Sequence, residues 1–165
     1  MLHIRPATAS DLPLIQQMAH ATWPSTYGSI LSQTQIEYML ELMYNLAILK
    51  QQVEQKCQVF LLVFSDEEAL GFVSYQLNYQ DSTTTKIHKI YVLPQAQGKG
   101  AGKALVDAVE TIARQNNNNA LILNVNQFNK AVSFYKRSGF QQVGNEILDI
   151  GNGFVMDDFI MQKNL

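Results

Sequence analysis

The chain has 165 residues, 47% of them hydrophobic and 16% charged, which suits one domain with a real core and excludes a disordered type. Its formal net charge of −2 argues against general nucleic-acid binding, and no apolar run is long enough to span a bilayer. Cys57 is the only cysteine, so no disulfide forms within the chain. Met1 to Pro6 lacks the apolar stretch of a signal peptide, and a cytoplasmic setting is expected.

In chain order, Leu2 to Arg5 reads as a short strand. Ser10 is placed to cap a helix carrying Leu12, Ile15, Ala19 and Thr22 on one face, with Pro13 still in its first turn. Trp23-Pro24-Ser25-Thr26-Tyr27-Gly28 breaks that pattern and predicts a loop in which Trp23 and Tyr27 are the residues to watch. Ser32 and Gln35 form a capping-box pattern ahead of Ile36, Met39, Leu40 and Met43, and a further helical stretch carries Leu46, Leu49 and Val53. Gln58 to Phe64 and Ala69 to Tyr79 predict an antiparallel hairpin across the polar turn at Ser65 to Glu68.

Lys86 to Leu93 is rich in β-branched and aromatic residues and predicts a strand that Pro94 ends. Ala101, Leu105, Ala108, Val109 and Ile112 then recur at helical spacing. Between strand and helix, Gly98, Gly100 and Gly102 occupy alternate positions, flanked by Lys99 and Lys103. Glycines let the backbone approach a ligand, and free amides at a helix start attract an anion. The stretch reads as a pyrophosphate cradle. It is not a P-loop, because Ala104 follows Lys103 and position 97 is Gln97. Nor is it the dinucleotide fingerprint, whose third glycine would fall on Lys103.

Past that helix, Asn116 to Asn119 reads as a turn, Ala120 to Val125 as a buried strand, and Phe128 to Ser138 as a helix closed by Gly139. Phe140 to Ile150 and Phe154 to Gln162 complete the chain as strands joined by a turn at Gly151-Asn152-Gly153. The order of elements describes a mixed α/β domain spanning residues 1–165.

Gln97-x-x-Gly100-x-Gly102, after a strand ending Tyr91-Val92-x-Pro94, resembles the acetyl-CoA motif R/Q-x-x-G-x-G/A of the GNAT N-acetyltransferase superfamily. Asn129, Ala131, Phe134, Tyr135, Gly139 and Phe140 resemble the second motif of that family, and the two motifs occur in the family's order. The resemblance covers essentially the whole chain. It implies a mostly antiparallel sheet flanked by helices, with two central parallel strands that splay apart to admit acetyl-CoA. It also implies cofactor contacts from Ile90, Tyr91, Val92, Gln97, Gly98, Lys99, Gly100, Ala101, Gly102, Lys103, Asn129 and Tyr135.

Acetyl transfer to an amine needs the amine deprotonated, the carbonyl polarised and the departing thiolate protonated. By the same resemblance Tyr135 is the acid for the thiolate; its alternative is a packing role like that of Phe134. His88, on the central strand, is either the base or a strand histidine that only packs. Cys57 is framed by no motif and is read as an incidental thiol. No set of His, Cys, Asp and Glu has metal-site spacing, so no metal is expected.

Acidic residues favour a cationic acceptor. Glu37 and Glu41 share a helical face, and alternation sends Asp157 and Asp158 to opposite faces of a strand, so one of them meets a helix layer or a cleft. A polyamine-like small amine is the first expectation, a peptide or protein amine the second and an antibiotic amine the third. An idle acyl-CoA-binding module and a different phosphate-ligand protein are the rival classes. The expected partners are a small-molecule amine and at most a second copy in a homodimer; neither nucleic acid nor membrane is expected.

Overall fold

A computed structural model describes all 165 residues. Its strands are β1 (Leu2–Pro6), β2 (Val59–Ser65), β3 (Glu68–Gln76), β4 (Thr84–Val92), β5 (Ala120–Asn126), β6 (Gln141–Gly151) and β7 (Phe154–Asn164). Its helices are α1 (Leu12–Tyr27), α2 (Gln33–Tyr44), α3 (Leu46–Glu54), α4 (Ala101–Gln115) and α5 (Ala131–Arg137). The strands form one sheet in the order β1-β2-β3-β4-β5-β7-β6, antiparallel throughout except for the β4–β5 pair. No helix is long and apolar enough to cross a membrane.

Both faces of the sheet are covered. Leu61, Val63, Val73, Ile87, Leu121 and Leu123 pack beneath α4 and α5. Phe60, Leu62, Phe64 and Phe72 pack against α1, α2 and α3. Strands buried on both faces read as near-continuous apolar runs, which is why β2 lacks alternation. The β6–β7 hairpin closes through Asn152 and Gly153, both at positive φ, the conformation of a two-residue type I′ turn.

Several expected boundaries move. The break at Trp23 does not occur: α1 continues through Pro24 to Tyr27, and Trp23 is fully buried against Tyr27 and Tyr44. Aromatic burial outweighs the single helix bond that a proline forfeits. Ser10 does not cap α1; a 3₁₀ turn, Ala9–Asp11, precedes it, and the Asp11 carboxylate accepts from the Thr8 amide at 2.7 Å and from Arg5 at 2.8 and 3.0 Å. Ser32 caps α2, accepting from the Gln35 amide at 3.1 Å, but the Gln35 side chain leaves the box and donates to the Val155 carbonyl at 2.9 Å. The third strand stops at Gln76, because Asn78 turns to positive φ and donates its amide to Asn118 Oδ1 at 3.1 Å. The fifth helix starts at Ala131 rather than Phe128: Asn126 and Asn129 side chains accept from the Phe128 and Ala131 amides, both at 2.9 Å, holding the chain in turns first.

The pairing of β4 with β5 runs only from Thr84–Ala120 to Ile87–Leu123. Beyond it, β4 continues beside β3 alone and β5 beside β7 alone. A bulge marks the divergence. Tyr75 pairs with Ile87 but Ser74 with Lys89, so His88 is the extra residue. Before it, Ile87 faces the α4 core; after it, Ile90 and Val92 do, and Lys89 and Tyr91 turn to the α1–α3 layer. At the far end of β3, a Cβ on Gly71 would meet the Tyr91 carbonyl oxygen at 2.5 Å, so only glycine permits this register.

Lys89 is 4% exposed and has no carboxylate partner. Its ammonium donates to the side-chain carbonyls of Gln58 at 2.8 Å and Gln52 at 3.1 Å and lies over the rings of Phe60 and Tyr44. Burial lowers its pKa from 10.5 to about 7. Between those values the unfolded chain holds a proton that the folded chain does not, so this group makes stability rise with pH from about 7 to 10.5. Lys89→Met, which keeps the volume and removes the charge, should flatten that rise. Denaturant midpoints at pH 7 and pH 10 for parent and variant check it; parallel pH dependences would refute the assignment.

Candidate active site

The divergence of β4 and β5 opens a cleft of about 670 Å³ that reaches from the glycine loop to the α1–α3 face. The backbone edges that β4 and β5 turn toward each other beyond Ile87 and Leu123 have no ladder partner. Such edges present amide and carbonyl groups to an extended ligand carrying amides of its own.

The glycine loop closes one end. Gly98 and Gly100 have φ of 78° and 84°, the left-handed region. A Cβ on Gly98 would meet nothing within 4 Å, so the loop's outer surface is open. Ala104 is the first α4 amide to find a backbone acceptor there, on Gly100 at 3.0 Å, and the amides of the preceding turn are left for a ligand. Gly102 lies within 3.5 Å of the Phe134 ring when given a Cβ, which fixes how closely α4 approaches α5.

Ile90, Tyr91, Val92, Gln97, Gly98, Gly100, Ala101, Gly102, Lys103, Asn129, Tyr135 and His88 all line this one cleft. Lys99 does not; it is exposed to solvent outside the cleft lining. Lys130 and Arg137 line the cleft with Lys103 and supply the positive charge that the sequence suggested at Lys99. Lys103 is also paired with Asp107 on the surface. Cys57 lies outside the cleft, at the end of α3.

Tyr135 projects from α5 and is wedged edge-on between Phe134 and Phe140. Burial, and then the neighbouring Tyr27, raise its pKa well above the usual phenol value, so it is a neutral donor at all working pH. Tyr27 enters from the opposite side of the sheet on α1, and its hydroxyl lies 3.0 Å from that of Tyr91. Asn129 uses Oδ1 to start α5. Its side chain also lies close enough to the Tyr27 phenol to favour that group's charged form.

His88 lies at the bulge. Its Nε2 is 2.9 Å from Gln76 Oε1, an acceptor, so as oriented Nε2 carries the proton and Nδ1 keeps its lone pair. Burial, then Lys86 and Lys89, lower its pKa to about 4. The ring is therefore neutral near pH 7 and a weaker base than an ordinary histidine.

Sequence reasoning missed Lys89, whose burial depends on the bulge, and it placed Tyr27 in a loop. It foresaw that one of Asp157 and Asp158 would be buried. That residue is Asp158, at 6% exposure, with Asp157 on the other face beside Gln127.

Residues 29–160 match the family model of the acetyltransferase (GNAT) domain. A Thermoplasma acidophilum protein named spermidine N(1)-acetyltransferase is 24% identical over 161 residues, covering 94% of this chain and 96% of that protein. The crystal structure of a PaiA N-acetyltransferase from Thermoplasma acidophilum in complex with coenzyme A superposes with a TM-score of 0.85 at 25% identity, over 100% of this chain and 99% of that one. A peptidyl-lysine N-acetyltransferase, YjaB of Salmonella typhimurium, is 30% identical over 104 residues, 62% of this chain and 63% of that protein. Glycine loop, splayed strands and cleft tyrosine thus coincide with a family match over most of the sequence, and the chain belongs to the GNAT family of acetyl-CoA-dependent N-acetyltransferases.

Proposed function

We propose that this enzyme acetylates a small primary amine of the polyamine type by direct attack on acetyl-CoA, with Tyr135 as the acid. One observation carries the reading: Tyr135 and the glycine loop share a cleft that opens through the split sheet onto a roofed, polar face on the other side. The pyrophosphate lies on the amides from Gly98 to Gly102. The pantetheine arm runs between the free edges of β4 and β5, within reach of Asn129.

The amine nitrogen attacks the thioester carbonyl; the C–N bond forms as the C–S bond breaks, and Tyr135 protonates the departing sulfur. His88, on the acceptor face with its Nδ1 lone pair free, takes the amine proton and, as a weak base, passes it to solvent. The acceptor side is roofed by α1 and α2, and α2 is fastened to the β6–β7 hairpin by Gln35 to Val155 and by the Tyr38 hydroxyl to the Ile150 carbonyl at 2.8 Å. A roofed face suits a small molecule better than a protein surface. The full-length Thermoplasma acidophilum relative named for spermidine supports the same class. A lysine side chain of a protein is the second reading, favoured by the Salmonella typhimurium relative. An acetyl-CoA consumption screen across polyamines, monoamines and lysine peptides decides between them.

Gly100→Val should weaken acetyl-CoA binding at least tenfold in a folded protein. A β-branched residue at that φ is strained and would pull the loop out of the conformation that presents its amides. Calorimetry checks this; unchanged affinity would remove the loop from the site.

Direct transfer predicts no acetyl-enzyme. Intact-mass spectrometry after incubation with acetyl-CoA alone should show no stoichiometric adduct, and a Cys57-acetyl species that passes its acetyl group to an amine would overturn direct attack.

Tyr135→Phe keeps the ring and its packing and deletes the donor. Acid catalysis is worth ~10²–10⁴ in rate. Single-turnover kinetics at saturating amine should show a loss of that order with cofactor affinity nearly unchanged. A chemical step within a few-fold of the parent would make Tyr135 a packing residue.

A further inference from the structure

The acceptor face of the sheet carries a polar group on each of four neighbouring strands. Lys86 and His88 lie on β4, Asn124 on β5, Asp158 on β7 and Glu146 on β6. Asp158 pairs in register with Asn126 on one side and Glu146 on the other. Its neighbour two residues back, Met156, packs into the α1–α3 core, so alternation places the Asp158 carboxylate on that face. Glu146 accepts from Asn124 Nδ2 at 2.8 Å, and Lys86 donates to Asn124 Oδ1 at 3.3 Å and lies over the Tyr79 ring.

Asp158 is 6% exposed, and its Oδ1 is fully enclosed with no hydrogen-bond partner. Lys86 is near enough to favour its charge but is spent on Asn124 and makes no ion pair with it. An enclosed carboxylate oxygen without a donor is costly, and a bound cation with N–H groups removes that cost. Asp158 does not itself line the cleft; it is joined to the lining through Asn124, which donates to Glu146, the residue paired with Asp158. The side-chain amide of Asn124, which lines the cleft, is near enough to favour its charge, and that charge acts in turn on the phenol of Tyr27, another lining residue. Tyr135 packs in the core beneath α4 and α5, on the opposite face of the sheet from Asp158.

Resting on the acetyl-acceptor reading above, we propose that Asp158, with Glu146 beside it, is the subsite for a second ammonium group of the acceptor: the enzyme recognises a diamine or polyamine by the charge that it does not acetylate. The carboxylate sits away from Tyr135, so it grips the far nitrogen and leaves the near one free to attack. The groups near it are Glu146 from β6, Asn124 from β5, Lys86 from β4 and Tyr27 from α1; Asp157 faces the opposite side.

The test compares 1,4-diaminobutane with 1-aminobutane, titrated by calorimetry into the CoA-saturated enzyme and assayed as acceptors. The parent should bind and turn over the diamine at least tenfold better than the monoamine. Asp158→Asn should lose most of that ratio, and Glu146→Gln part of it, with CoA affinity within threefold as the check on folding. Burial raises the Asp158 pKa to about 6, so the parent's diamine preference should also fall as pH drops through 6, a readout that needs no variant. A ratio that is the same in parent and Asp158→Asn, or a parent ratio flat across pH 6, overturns the subsite. Acetylation of both amines with no dependence on Asp158 leaves the acceptor reading standing without it. Tight, Asp158-dependent diamine binding with no acetylation does the reverse.

Discussion

Everything functional in this protein follows from four residue pairs. The parallel ladder between β4 and β5 holds from Thr84–Ala120 to Ile87–Leu123 and then stops. Two strands in the middle of a sheet would ordinarily stay paired, because each lost ladder bond leaves buried polar groups unpaired. Here they part because each is held from outside. β4 keeps its pairing with β3 as far as Val92, and β5 keeps its pairing with β7 as far as Asn126. The base of the fork is pinned by Asn118, which accepts from the Thr85 hydroxyl at 2.8 Å and exchanges bonds with Asn78, and by the Asn119 amide on the Thr83 carbonyl at 2.8 Å. Pinned at one end and pulled apart at the other, the strands leave a wedge whose walls are their own free backbone. That makes the cleft part of the fold rather than a gap between side chains.

The bulge at His88 decides what the wedge contains. One extra residue in β4 exchanges the faces of everything that follows, as a one-residue slip in a sheet does. With it, Ile90 and Val92 complete the α4 core, and Lys89 and Tyr91 enter the α1–α3 layer. The aromatic cluster of Trp23, Tyr27, Tyr44, Phe72 and Tyr91 depends on that exchange, since Tyr91 is its member from the central strand. The layer tolerates the buried ammonium of Lys89 because two glutamine carbonyls and two ring faces surround it.

The architecture was legible where the chemistry is local. Glycines at alternate positions, a strand-ending proline and the Asn129-to-Phe140 pattern marked the loop and α5, and period-2 and period-3.6 patterns marked most elements. What escaped depends on contacts distant in sequence. Pro24 reads as a breaker, yet the rings of Trp23 and Tyr27 find partners on α2 and β4 that hold the helix together. The run of asparagines from Asn116 reads as a simple turn, but two of its side chains and amides fasten the fork. Lys99 and Arg137 are equally basic in sequence, and only the direction of the loop tells which one faces the cleft.

Burial acts on the two sides of the wedge in the same way but with opposite uses. Loss of water raises the phenol of Tyr135 and the carboxyl of Asp158, because in both it disfavours the anion. For the phenol this keeps the proton in place at neutral pH, as the proposed role of acid requires, and at the same time makes its release to a thiolate harder. For the carboxylate it is a cost that protonation or a nearby cation offsets, which is the physical basis of the proposed ammonium subsite. Tyr27 reaches Tyr91 through its hydroxyl and lines the cleft from α1. In the proposed reaction, leaving group and acceptor approach from opposite faces of one sheet and meet where its central pair of strands is open.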